Sequence, residues 1–209
     1  MRWVDTALDV EMDDKITAAF DLAGQGSIPI INAQIAALTV TRVFWEYLNL
    51  HTDWPAGHDR FVEAFAAFDE WLERADAWVG DGGIFAKTRE AALAEGSAAS
   101  ALALAREVAL VNLLAELDLM EQRLEDRPEA ALVHEARGLQ FLHILYQDIS
   151  RKNREDAVYV MGEFRDHPKD VDTAEIRTRL KKLFGAEVRT IGESTFDRRG
   201  VALNDVFAP

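Results

Sequence analysis

The sequence contains no cysteine among its 209 residues. Disulfide bonds and Cys-ligated zinc or iron–sulfur sites are therefore excluded, because all of them need cysteine sulfur. A chain without disulfides fits a cytoplasmic protein. The first fifteen residues also lack the basic start and apolar core of a secretory signal, so the sequence predicts a cytoplasmic location.

Long apolar runs are scarce as well. Residues 22–41 form a 20-residue window without charge, but the window holds two glycines, one proline and six Asn, Gln, Ser or Thr residues. A membrane span needs about 20 predominantly apolar residues. The window therefore favours a buried helix of a soluble protein, and membrane association through residues 22–41 remains an alternative.

Proline and glycine are few, with 5 and 12 residues, and several of them separate segments in which apolar residues recur at every third or fourth position. This spacing is typical of helices that bury one face. It predicts an all-α protein, an antiparallel four-helix bundle with short additional helices and an irregular C-terminal tail. We expect residues 1–150 to form the bundle core and residues 151–209 a C-terminal helical appendage and tail. The expected helices cover about 5–23, 27–51, 55–79, 85–95, 97–126, 128–150, 154–166 and the stretch after Asp172.

The bundle is organised around two long helices that meet at Arg127-Pro128. The first is apolar on most sides between residues 101 and 115, which is typical of a helix surrounded by other elements. Asp126 and Glu129 have the spacing of a capping box, and Pro128 suits the first turn of the second helix. So short a connection forces the two helices to be antiparallel. The residues expected to face the first helix are Leu132, Leu139, Leu142, Tyr146 and Ile149.

The helix at 55–79 has the clearest amphipathic pattern. Its apolar stripe consists of Phe61, Phe65, Phe68, Leu72, Ala75 and Val79. Charged residues are expected on the other faces, namely Arg60, Glu63, Glu70 and Arg74. Trp71 and Trp78 flank the stripe, and we expect them to broaden the core.

The charge is uneven along the chain. The net charge is −14; residues 1–150 hold 11 basic and 26 acidic residues, whereas residues 151–209 hold 12 and 11. An acidic body repels nucleic acid and anionic membranes. The charge therefore argues against nucleic acid as a partner.

Motifs for catalysis or metal binding are largely missing. A carboxylate-bridged two-metal site in a bundle needs Glu-x-x-His on two helices, and this motif is absent. His58-Asp59 resembles a metal-binding dyad but lacks the accompanying histidines, and His134-Glu135 lacks the second histidine of a zinc-protease helix. The sequence thus predicts no metal or other cofactor and favours a protein that is not an enzyme.

Polar residues on otherwise apolar helix faces form the candidate site. Its members are Arg42, Glu46, Arg106, Glu135, His143 and Asp148. Because buried charges need partners, Arg106 is expected to contact Asp148 or Glu46. The set is interpreted either as a network that fixes helix register or as a small pocket with His143 as acid, base or ligand.

These observations favour a non-catalytic protein–protein interaction protein, such as an adaptor, a regulator or an assembly subunit. Its partner would be another protein or a second copy of the chain. One alternative is a helical-bundle enzyme or ligand carrier that uses the interior polar cluster. The other is a membrane-associated protein that attaches through residues 22–41.

Overall fold

The computed structural model describes residues 59–80, 82–95, 98–166, 170–187 and 195–197. These residues form helices and turns without a strand, which confirms the all-α prediction. The helices are α1 Asp59–Val79, α2 Ile84–Glu95, α3 Ala98–Asp126, α4 Pro128–Lys152, α5 Arg154–Asp166 and α6 Thr173–Phe184. The helices expected at 5–23 and 27–51 lie outside the described residues. Since the second of these was to be one of four long helices, the four-helix bundle stays a prediction.

Helices α3 and α4 form the expected antiparallel hairpin. Arg127 alone links them. Near the link, Glu116 of α3 contacts His134 of α4, and farther from it Arg106 contacts Asp148, as expected for antiparallel helices. Pro128 begins α4, as predicted.

The predicted capping role of Asp126 is wrong. Asp126 is the last residue of α3, and Arg127 occupies the N-cap of α4 without a side-chain cap hydrogen bond. The reason is geometric. With Pro128 as the first helical residue, only the residue directly before it can stand at the N-cap.

Helix α3 lies at the centre of the described structure. Every residue from Val108 to Met120 is buried, because α1, α2, α4 and α6 all pack against this helix. The expectation of a helix surrounded on most sides is confirmed.

Helix α1 packs against α3 through the predicted stripe. Phe68, Leu72, Ala75 and Val79 are buried, as is Trp78. Trp71 is partly buried and meets Phe141 of α4 edge to face at a centroid distance of 5.1 Å. Both tryptophans therefore extend the core.

A glycine-rich turn connects α1 to α2. Gly80, Gly82 and Gly83 have positive φ angles of 72°, 62° and 87°, a conformation that side chains with a Cβ rarely adopt. The Asp76 carboxylate accepts hydrogen bonds from the backbone N–H groups of Phe85 and Ala86 at 2.8 and 3.2 Å. A residue of α1 thus caps the first turn of α2.

Helices α5 and α6 extend the same core. Val160 and Phe164 of α5 and Ile176, Leu180 and Phe184 of α6 are buried in one apolar cluster with α3 and α4. The helix predicted after Asp172 is present: Asp172 caps α6 by accepting the Glu175 N–H at 2.9 Å, and Gly185 follows the helix. The division of the chain near residue 150 stays a prediction.

None of the described helices combines the length and the apolarity that a membrane crossing requires. Residues 22–41 lie outside the described part of the chain.

Candidate functional site

The predicted ion pair between Arg106 and Asp148 is present. Arg106 Nε lies 2.9 Å from Asp148 Oδ2, and Arg151 Nη2 lies 3.3 Å from the other carboxylate oxygen. The pair is not interior, however, since the Arg106 side chain is 38% exposed and that of Asp148 is 18% exposed. It stands at the edge of the α3–α4 interface and can meet molecules from outside.

His143 does not lie in the interior. The structure places it on the exposed side of α4, so its predicted place in an interior cluster is wrong. Of the five residues expected to face α3, Leu142 and Ile149 are fully buried, whereas Leu132, Leu139 and Tyr146 are only partly buried. The buried face is rotated toward Phe141 and Leu145, and this rotation turns His143 outward.

The remaining candidate residues do not join this ion pair. Glu135 is buried, but it precedes Asp148 by 13 positions of one helix, which corresponds to about 20 Å. Arg42 and Glu46 lie outside the described residues. The structure thus brings Arg106 and Asp148 together and leaves Glu135 and His143 apart from them.

A different set of buried charges joins three helices. Arg74 of α1, Glu116 of α3 and His134 of α4 form what we call the Glu116 cluster. The Glu116 carboxylate accepts from Arg74 Nη1 at 2.5 Å and lies 2.7 Å from His134 Nδ1. Glu116 and Arg74 are buried, whereas His134 is 16% exposed. Arg74 was expected on a face of α1 other than the apolar stripe, and its burial against Glu116 was not foreseen.

The electrostatics of the Glu116 cluster favour a permanent carboxylate. Burial alone would raise the pKa of Glu116, but the charge of Arg74 and the hydrogen bond and charge of His134 outweigh it. The net effect lowers this pKa from 4.5 to about 2. An ionised carboxylate only accepts hydrogen bonds, so His134 Nδ1 donates. Such a group exchanges no proton near neutral pH and acts as a charged link between helices.

Two more buried carboxylates form ion pairs with α6, the last described helix. Asp118 of α3 lies 3.6 Å from Arg177 of α6, and both side chains are almost fully buried. Asp156 of α5 accepts from Arg179 of α6 at 2.6 Å, and this guanidinium stacks on the Tyr159 ring at 3.9 Å.

One sequence signal could have located these buried acids. The apolar pattern of α3 continues past residue 115 through Leu117, Leu119 and Met120, and Glu116 and Asp118 lie within this continuation. Polar residues within such a segment have no solvent-facing side to occupy. They must be buried and must therefore find partners on neighbouring helices.

Glu135 behaves differently from Glu116. Burial raises the pKa of its carboxyl from 4.5 to about 7, because a charged carboxylate is poorly solvated there. Within the described part of the chain it has no ion-pair or hydrogen-bond partner through its side chain. Glu135 is thus a buried acid that changes charge near neutral pH.

A groove opens between α3, α4 and the end of α6, and we call it the α3–α4–α6 groove. Its volume is about 430 Å³. Its apolar lining includes the buried residues Leu110, Leu145 and Phe184. The charged residues along it are Arg106, Glu107, Asp148, Arg151, Lys152 and Glu187.

The charges of the groove are partly matched to one another. Asp148 pairs with Arg106 and Arg151, whereas Lys152 pairs with Glu187 and lies 5.0 Å above the Phe184 ring. Two guanidinium groups thus share the Asp148 carboxylate, and with Glu107 the groove is bordered by three basic and three acidic residues. Among the described residues, the structure thus brings the predicted site residues Arg106 and Asp148 together at a cavity.

Neither a metal site among the described residues nor a similar known protein points to a function. Within the described ranges, no group of three His, Asp or Glu side chains is arranged to hold a metal ion. Comparison of the chain with protein-family models, with curated proteins and with solved structures found no match.

Proposed function

We propose that this chain is a non-catalytic protein–protein interaction protein, an adaptor, regulator or assembly subunit, and that the α3–α4–α6 groove is its binding surface. The observation that carries the proposal is the composition of this groove. An apolar floor bordered by charged residues, with arginine and an aromatic ring among them, is typical of the surfaces at which proteins bind each other.

The interior charges support the same interpretation. Glu116, Asp118 and Asp156 each bind a cationic side chain from another helix. Such pairs position helices relative to one another, and the low pKa of Glu116 suits a structural charge better than an acid–base group. The charges left for contact with other molecules include those along the groove.

The test reverses charge in the groove. The Arg106→Glu/Arg151→Glu variant and a matched control, Arg154→Glu/Lys182→Glu, change the net charge equally. Both control positions are exposed and lie outside the groove. Size-exclusion chromatography with light scattering measures self-association, and affinity capture from a cell lysate followed by mass spectrometry measures other partners.

We expect the control variant to have the same assembly state as the wild type and to capture the same proteins. The groove variant should lose this assembly state or these captured proteins. A wild type that is monomeric and captures nothing would contradict the proposal. So would a groove variant that behaves like the wild type.

A second candidate function is supported by Glu135 alone. A buried carboxyl with a pKa of about 7 is suited to general acid–base chemistry or to binding a cationic ligand. This would correspond to the helical-bundle enzyme or ligand carrier. A thermal-shift screen of wild type and Glu135→Gln against metabolites would support it if a compound stabilised the wild type alone. Equal responses of both proteins would argue for a structural role.

A further inference from the structure

We propose that Glu135 is the trigger of a pH-dependent conformational switch: when its carboxyl loses its proton, the C-terminal end of α5 separates from α4. Glu135 precedes Asp148 of the α3–α4–α6 groove by 13 positions of one helix, which corresponds to about 20 Å. The switch therefore does not depend on the proposed binding surface.

Glu135 occupies a core position of α4. One line of buried residues runs along this helix in alternating steps of four and three, and its members are Ala131, Glu135, Gly138, Leu142, Leu145 and Ile149. This spacing is typical of the side of a helix that packs against its neighbours. Glu135 is the one member of the line with an ionisable side chain. It is therefore surrounded by packed side chains rather than by water.

The next member of this line shows which helices lie beside Glu135. A Cβ at Gly138 would lie 3.6 Å from Leu113 Cδ1 of α3 and 3.0 Å from Phe164 Cε1 of α5. Because Asn153 alone links α4 to α5, α5 runs back along α4, and the residues after Phe164 continue toward Glu135. Glu135 thus lies level with the C-terminal end of α5.

Glu135 has no partner that would stabilise its charge. Its side chain makes no ion pair or hydrogen bond within the described part of the chain. Charged groups on the surrounding helices are either engaged with other groups or exposed. They are Glu116 with Arg74, His134 and Arg137, Asp118 with Arg177, Glu121 with Thr173, Glu163 with the Asp172 N–H, and the exposed Arg165.

The proton of Glu135 is consequently lost near neutral pH. A buried carboxylate without a partner is less stable than the protonated acid, and burial raises the pKa of Glu135 to about 7. Once ionised, the carboxylate needs water, and water can reach it only where packed helices separate.

Helix α5 is the neighbour that can yield. Helix α3 is held by α1, α2, α4 and α6, whereas α5 is a 13-residue helix that packs mainly against α4. Its outer side is exposed, including Val158 and Arg165, and helices with few packed neighbours open at a lower free energy than the core. Near its N-terminal end, Asp156 is bound to Arg179 of α6. Movement is therefore confined to the C-terminal end of α5.

Hydrogen–deuterium exchange of the full chain, followed by mass spectrometry, tests this switch between pH 6 and pH 8. The proteins are wild type, Glu135→Gln, Glu135→Met and the exposed control Glu90→Gln. Dividing the wild-type rate by the Glu135→Gln rate at each pH removes the intrinsic pH dependence of amide exchange. Residues 160–164 report on the end of α5, and residues 108–120 report on global unfolding.

We expect this ratio to rise about tenfold from pH 6 to pH 8 at the end of α5. A carboxyl with a pKa of about 7 when buried and 4.5 when solvated favours the open form by about this factor as the pH rises through 7. The Glu90→Gln control should follow wild type, and Glu135→Met should follow Glu135→Gln. Residues 160–164 should also be less protected than residues 108–120 at every pH.

Two results would overturn the inference. One is a ratio that stays constant between pH 6 and pH 8, which would show that ionisation of Glu135 opens nothing. The other is equal protection of the two segments, which would show that α5 opens only when the whole described structure unfolds. If Glu135→Gln fails to fold, Glu135→Met provides the same comparison.

Discussion

Replacing Glu116 with glutamine would leave Arg74 buried beside a neutral amide. Breaking a buried pair by removing one partner typically costs about 3–5 kcal/mol, because the remaining charge is uncompensated. We therefore expect Glu116→Gln to lower the free energy of unfolding by about 3 kcal/mol, measured by urea denaturation at pH 7. Glu90→Gln is the matched control, since Glu90 is exposed and its loss should change stability little. Equal stabilities of the two variants would contradict a structural role for the cluster.

The low pKa of Glu116 should make the free energy of unfolding depend on pH in the acidic range. A carboxyl whose pKa falls from 4.5 to about 2 on folding stabilises the protein above pH 4.5, and this stabilisation is lost as the pH falls from 4.5 through 2. Unfolding free energies of wild type and Glu116→Gln, measured between pH 7 and pH 3, should converge on acidification. A constant difference would show that the carboxylate is not held ionised by its neighbours.

Glu135 should act in the opposite sense. Because folding raises its pKa from 4.5 to about 7, the folded protein holds a proton that the unfolded chain releases. The associated stability is complete below pH 4.5 and is lost as the pH rises through 7. We expect Glu135→Gln, which keeps the shape of the neutral acid, to gain stability relative to wild type between pH 5 and pH 8, by up to about 3 kcal/mol. A pH-independent difference in urea denaturation would refute the shift.

Sequence reasoning located some of these residues and missed others for identifiable physical reasons. The Arg106–Asp148 pair follows from hairpin geometry alone, because a one-residue link fixes which positions lie side by side. Arg74 and His134 could not be placed in this way. Their burial depends on where a third helix packs, and the periodicity of one helix does not reveal that.

At the scale of helices, Gly138 controls how closely α5 approaches α4. A Cβ at this position would lie 3.0 Å from Cε1 of Phe164 and 3.6 Å from Leu113 Cδ1. We expect Gly138→Val to destabilise the fold by about 2 kcal/mol, the usual range for overpacking, as measured by thermal and urea denaturation. Ala136→Val, at a partly exposed position of the same helix, should cost only a few tenths of a kcal/mol. Equal costs at both positions would show that α5 can shift without penalty.

Helix boundaries were largely predictable because their signals are local. Pro128 begins α4 and Asp172 directly precedes α6, as predicted, since caps and prolines act on the adjacent turn. The rotation of α4 about its axis was not predictable to the same degree. Several of its faces carry apolar residues, so only packing against α3 and α5 decides which one is buried most deeply.

For the whole molecule, the C-terminal helices are part of the fold that surrounds α3. A chain that ends at Asp166 would lose three buried apolar side chains of α6, together with the Arg177 partner of Asp118. Burial of such side chains contributes about 1.5–3 kcal/mol each, and a domain is stable by only about 5–15 kcal/mol. We expect the truncated chain to lose its cooperative thermal transition in circular dichroism. A chain that ends at Asp197 keeps α6 and the Lys181–Asp197 ion pair and should retain the transition.

The central position of α3 also determines how the protein opens. Its middle turns are covered by α1, α2, α4 and α6, so no single neighbour can detach and expose them on all sides. Backbone amides from Val108 to Met120 should therefore exchange with deuterium only when the whole described structure unfolds, whereas those of α2 should exchange through local opening. Hydrogen exchange followed by mass spectrometry would then show one slow segment, and its exchange rate would report the global stability of the protein.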